Sequence, residues 1–344
     1  MPAPTTSAPT TSGPPLRVWL DSVSALISER RSNPQDLAHD LVAQDAFVSP
    51  RGNALRQAGR VAETARTDLS LACAVVHHSQ AALLLGEAGA GQLVNGTLLW
   101  GLTGRGLHAH RRSPVALDGR ATTCCKPPTS DVLYVVVDRE CGHLLTVDTD
   151  GDQPAGALAT AAPASGTATV LELRRARAVV RGSISTHSVA HTLTYGRLLE
   201  AAAWYGALTR LADGMLSAFA ASDADEEAGG DALGGSRAAM THLAETDAML
   251  SAIWGSIRDG IAVWERGLSS LRTARHHVAR ARTLTRLAAS SVLFGYVPLE
   301  DEAARRTGVT PEVRENLVAW MARSDLDTDS TVVAEAVLRD GPSW

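Results

Sequence analysis

The stretch GRATTCCKPPTSDVLYVVVD, Gly119 to Asp138, sets adjacent cysteines, Cys124 and Cys125, beside Lys126, the only lysine in the 344 residues. A thiol next to a cation loses its proton more readily and becomes a nucleophile. The apolar run that follows allows a second reading, the crowded end of a buried strand beside some larger ligand. Histidines are the next candidates. His77-His78, His108 with His110, and His276-His277 stand one or two residues apart, whereas two metal ligands on one helix face need a spacing of three or four. No metal site is expected. His77 or His78 is a candidate acid or base if its helix lines a pocket, set against the plainer role of a core or surface histidine. The loop GEAGAGQLVNG is glycine-rich, yet no strand precedes it and a β run follows it, which argues against a dinucleotide fingerprint. No GxSxG elbow offers a serine nucleophile, and the stripe carrying Trp254 and Trp264 reads as core packing.

The hydrophobic pattern marks out the elements that must position these residues. The opening MPAPTTSAPTTSGPP has no apolar period and no signal-peptide layout, so residues 1–15 are expected to be a disordered tail. Leu16 to about Leu85 has helical spacing, clearest in DLSLACAVVHHSQAALLL, where Leu71, Val75, Ser79 and Ala82 share a face. Short β-rich runs follow: TLLWGLT, SPVALDG, DVLYVVVD, HLLTVDTD and TATVLELRR. After VVRGS the helical period returns. Leu198, Ala202, Tyr205, Leu208, Ala212, Met215 and Phe219 line one long helix. Met240, Leu243, Leu250, Trp254, Ile257, Ile261, Trp264 and Leu268 line a second, and a third runs from about Thr273 to Leu293. Shorter helices are expected at Val313 to Met321 and Val332 to Leu338. The reading is an α+β multidomain protein: a helical N-terminal domain over 16–96, a β domain over 97–182, and a helical bundle over 183–344 with a mobile acidic loop near 221–236.

Composition narrows the function. At 45% hydrophobic residues the chain can bury a real core. Its net charge of −5, with arginines spread among acids, gives no basic stripe for a phosphate backbone, so nucleic acid is not expected as a partner. No apolar run reaches the length of a membrane span, and a cytoplasmic location follows as an expectation. Four cysteines, Cys73, Cys124, Cys125 and Cys141, show no CxxC spacing and are expected to be buried thiols.

The order helical, β, helical, closing in a bundle of long helices, resembles the acyl-CoA dehydrogenase superfamily over roughly Asp68 to Leu293. DLSLACAVVHHSQAAL is similar to the central helix of the family's first domain, and GQLVNGTLLWGLT to its ALTE passage into the β domain. LDGRATTCC with DVLYVVVD is similar to LNGxKxxIT and the strand after it. TATVLELRRARAVV resembles LxxVRVP, and YGRLLEAAAWYGALTRLAD the helix that opens the last domain. The resemblance implies an FAD between the β domain and the bundle. Thr103 then matches the ALTE threonine and Cys125 the threonine beside the reactive flavin nitrogen, which would put the cysteine pair at a flavin edge. A thiol donates a weaker hydrogen bond than a hydroxyl, so the flavin would be weakly held or absent.

The departures from the family pattern are as informative. In place of EPxAGSD stands GRGLHAHRRSP. In place of the RxxFG loop, whose arginine reaches a neighbouring subunit's diphosphate, stands SDADEEAGGDALGGS. The segment with the family's catalytic glutamate has no counterpart in DLDTDSTVVAEAVLRDG, leaving Glu300, Asp301 or Glu302 as substitutes for the base. The resemblance therefore implies one of two roles. The first is a flavin-dependent oxidoreductase on a small-molecule acyl thioester or related carbonyl substrate. The second is a degenerate, non-flavin member serving as a partner subunit or carrying out non-redox chemistry. It also implies a homo-oligomer, or a hetero-oligomer with a related subunit, assembled through the apolar stripe from Met240 to Leu268.

Overall fold

The computed structural model describes residues 53–86, 97–102, 107–110, 115–123, 132–148, 157–165, 168–226 and 233–295, with Pro154 and Val333 singly. The structure is helical with a curled sheet. Two helices come first, α1 (Ala54–Thr67) and α2 (Leu69–Leu85), parted at Asp68, whose backbone is extended. The alanine-rich face of α1, with Ala54, Ala58, Val61, Ala62 and Ala65, is buried. Small residues there let a neighbouring backbone approach, and α3 (Thr186–Glu226) does so. A Cβ on Gly206 of α3 would overlap the backbone carbonyl of Ala62.

Helix α3 is the axis of the helical part. It packs against α1, α2, α4 (Leu233–Glu265) and α5 (Leu271–Gly295). That is why four consecutive residues, Ala201 to Trp204, are all buried, where an amphipathic surface helix would bury one or two. Ser185 starts α3: its Oγ accepts from the Ser188 N–H at 3.0 Å, an N-cap. The expected apolar stripes form the core, with Leu198, Ala202, Leu208, Leu250, Ile257, Ile261 and Trp264 in one cluster.

Two expectations are corrected here. Helix α3 continues through Asp223, Asp225 and Glu226, and α4 begins at Leu233, so the loop expected near 221–236 does not extend over 221–226 or 233–236; residues 227–232 lie outside the described residues. Alanine and glutamate are strong helix formers, and adding residues to an existing helix is easy. Leu268 is not part of the second long helix. The chain leaves α4 at Glu265, turns at Gly267 with φ 94°, and makes a single 3-10 turn, Leu268–Ser270, before α5. Of the stripe, Leu250, Ile257, Ile261 and Trp264 lie in the chain's own core, Leu243 and Trp254 pack partly buried against it, and Leu268 is exposed. Val313 to Met321 lies outside the described residues, as do the first fifteen residues and Leu16 to Gly52, and of Val332 to Leu338 only Val333 is described.

The sheet has seven strands: β1 (Thr97–Leu102), β2 (Leu107–His110), β3 (Val115–Thr123), β4 (Val132–Asp138), β5 (His143–Asp148), β6 (Leu158–Ser165) and β7 (Ala168–Ser183). Its order is β1-β4-β5-β7-β3-β2, with β6 also on β7; β1 and β4 run parallel and every other pair antiparallel. β2 and β6 carry no clear signal in the sequence. β6, LATAAPAS, is poor in strand formers, and Pro163 falls where its pairing to β7 is irregular, as an edge strand permits.

β7 is the organising strand. On one side it pairs with β3; on the other it pairs first with β6 and then, past Ala178, with β5. Two bulges bend it. At the first, Arg174 and Arg175 oppose Asp118 alone, Arg175 takes φ 52°, and its N–H donates to Asp118 Oδ1 at 2.6 Å. At the second, Arg181 is the extra residue between Val180 and Gly182 opposite β5. Leu107, Leu117, Val136, Leu145, Leu173 and Ala176 fill the sheet's own core.

Candidate joint site between the sheet and the helices

A third apolar cluster joins the two parts. Ala81 and Leu84 of α2 meet Val135 and Val137 of β4 and Leu144 of β5, with Ile184 and Val189 beside them. Polar side chains lie just N-terminal on α2. Ser79 is buried; its Oγ donates to Val75 O at 2.8 Å and accepts from Gln57 Nε2 of α1 at 3.3 Å. Gln80 lies against Gly196 of α3, where any Cβ would overlap the amide side chain.

His78, one residue before this pair, is 2% exposed, and burial lowers its pKa to about 4. The imidazole is therefore neutral at pH 7, too weak a base and too little protonated an acid for proton transfer there. Of the two acid–base candidates, His78 is a packing residue, while His77 is half-buried.

Across α3 the N-terminal turns hold an aromatic stack. The rings of His191 and Tyr195, four residues apart on α3, lie 4.3 and 4.6 Å from that of Trp264 on α4, at interplanar angles of 19° and 20°. Trp264 Nε1–H donates to His191 O at 3.0 Å, and His191 Nε2 lies 3.4 Å from Trp264 O. Burial pulls the His191 pKa down, against the opposing hydrogen bond to Trp264 O. Tyr195 is fully buried and its hydroxyl has no hydrogen-bond partner. Burial, helped by the Glu265 carboxylate, pushes its pKa up, so the phenol stays a neutral donor. In the sequence this group showed only as Trp264 in an apolar stripe; the i, i+4 pair His191 and Tyr195 was the signal available. A second feature the sequence did not disclose is Arg282 of α5, fully buried, with its Nε 3.6 Å from Glu200 Oε2 of α3.

Thr103 and Cys125 lie outside the described residues, and so do Cys124, Lys126, Glu300, Asp301 and Glu302. The strands leading to the first two are described. β1 ends at Leu102, which registers through Val137 and Leu144 with Gly182; β3 ends at Thr123, opposite Thr169. Along β7 those levels are 13 residues apart, roughly 43 Å in a straight strand. Both bulges of β7 lie between those two levels. Cys73 and Cys141 are half-buried thiols. Among the described residues no three His, Cys, Asp or Glu side chains gather to hold a metal ion, and no helix is long and apolar enough to cross a membrane.

Neither a family model nor a curated protein matches the sequence. Solved structures do. KijD3 in complex with FMN and a dTDP-linked 4-keto amino sugar aligns with a TM-score of 0.69 at 14% identity, over 97% of this chain and 96% of that one. The ChsE4–ChsE5 complex from Mycobacterium tuberculosis gives 0.66 at 16%, over 95% and 98%. Butyryl-CoA dehydrogenase from Megasphaera elsdenii gives 0.63 at 14%, over 94% and 98%. The fold is thus that of the acyl-CoA dehydrogenases, in a divergent form.

Where α3 ends, its last residues are Asp223, Asp225 and Glu226, with no basic residue in the final turn. Carboxylates repel a diphosphate, which needs cationic donors or backbone amides.

Proposed function

We propose that the chain is an acyl-CoA dehydrogenase-like, flavin-dependent oxidoreductase acting on an acyl thioester or related carbonyl compound, with its flavin weakly held. The observation that carries this reading is the end-to-end likeness to flavin-binding structures such as the KijD3 complex with FMN. The acidic end of α3 sets its limit: a flavin with one phosphate needs less of a clamp than one with a diphosphate. The flavin would supply the redox chemistry; Thr103 and Cys125 would lie at its ring. The domain division at residues 15/16, 96/97 and 182/183, a cytoplasmic location, and assembly as a homo-oligomer or with a related subunit belong to the same proposal.

The test is equilibrium titration followed by the flavin's visible spectrum. The protein is expected to be colourless or substoichiometric as purified, to bind FMN at least as well as FAD, and to lose both on Cys125→Trp. Two lost phosphate contacts at about 1.5 to 3 kcal/mol each weaken FAD binding on the order of a hundredfold or more. A stoichiometric yellow protein that survives dialysis refutes the weak hold. No spectral change with FMN or FAD at millimolar concentration favours the second reading, a non-flavin subunit that completes a related chain. That reading draws on the likeness to the two-component ChsE4–ChsE5 complex.

A further inference from the structure

We draw no further inference here: the strongest candidate, the fully buried Tyr195 hydroxyl without a hydrogen-bond partner where the first turns of α3 stack on Trp264 of α4, is one unpaired group in the side-chain cluster already described, and nothing in the structure shows what would bind it.

Discussion

Acid should unfold this protein partly through one histidine. His78 is held neutral by burial, with a pKa lowered from 6.5 to about 4, whereas in the unfolded chain it titrates normally. Between those values the unfolded state binds more protons than the folded one, so stability falls as pH falls through 6.5 towards 4. Linkage over the two pKa values gives a loss of about 2 kcal/mol between pH 7.5 and pH 5, and a local slope near pH 5 of roughly 1.2 kcal/mol per pH unit. The perturbation is His78→Gln, which keeps a polar side chain of similar length with no proton to gain. The assay is urea unfolding at pH 7.5, 6.5, 5.5 and 5.0, comparing midpoints at fixed m-value. His191 and His277 are also shifted down by burial, but they are present in both proteins and cancel in the difference. The variant is expected to be less stable at pH 7.5, through lost packing, and to lose about 2 kcal/mol less than the parent on acidification. Parallel curves for the two proteins would show that His78 is not a buried neutral group, and the assignment of α2 as a core helix beside α3 would fail with it.

Three other substitutions probe the packing. Gly206→Ala should destabilise by about 2 kcal/mol or more in thermal or urea unfolding, although the same change in an open helix stabilises by roughly 1 kcal/mol, because the added methyl overlaps the Ala62 carbonyl. Arg282→Ala should cost about 3 to 5 kcal/mol by leaving the Glu200 carboxylate without its buried cation, and Arg282→Met with Glu200→Leu should recover most of it. Asp118→Ala removes the acceptor that holds Arg175 at its positive φ, and a loss of about 1 to 2 kcal/mol is expected in the same assay.

Long periodic patterns were legible in the sequence, and local chemistry that depends on tertiary neighbours was not. Leu198 to Ala212 and Leu250 to Trp264 announced their helices because a repeat of three and four residues has no other economical use. Strand β4 was legible because five of the seven residues of VLYVVVD are β-branched or aromatic. β6 was not, since Ala159 to Pro163 become a strand only through the β7 edge beside them. The acidic end of α3 was misread because charge and glycine suggest a loop, while the helix already running through Leu211 and Ala212 carries the next turns with it. For the candidate site, the histidine pair on α2 was visible but not the burial of His78, which depends on tertiary packing. Tyr195 stood in the sequence only as the i+4 neighbour of His191, because an unpaired phenol is a property of its surroundings.

The dependence of the sheet on β7 also has a consequence in time. β3, β5 and β6 each pair with β7, the last of the described strands to be synthesised. Until β7 has left the ribosome, these earlier strands have open edges and no common partner. Before β7 emerges, only the β1–β4–β5 and β2–β3 pairings can close. Unpaired edges on a waiting chain invite association with other chains. A message cut short anywhere before the codon for Ser183 therefore yields a product with an unfinished sheet and no axis helix to cover its joint. Production of this protein in fragments should succeed only when the division falls after the β7–α3 junction, with both halves made together.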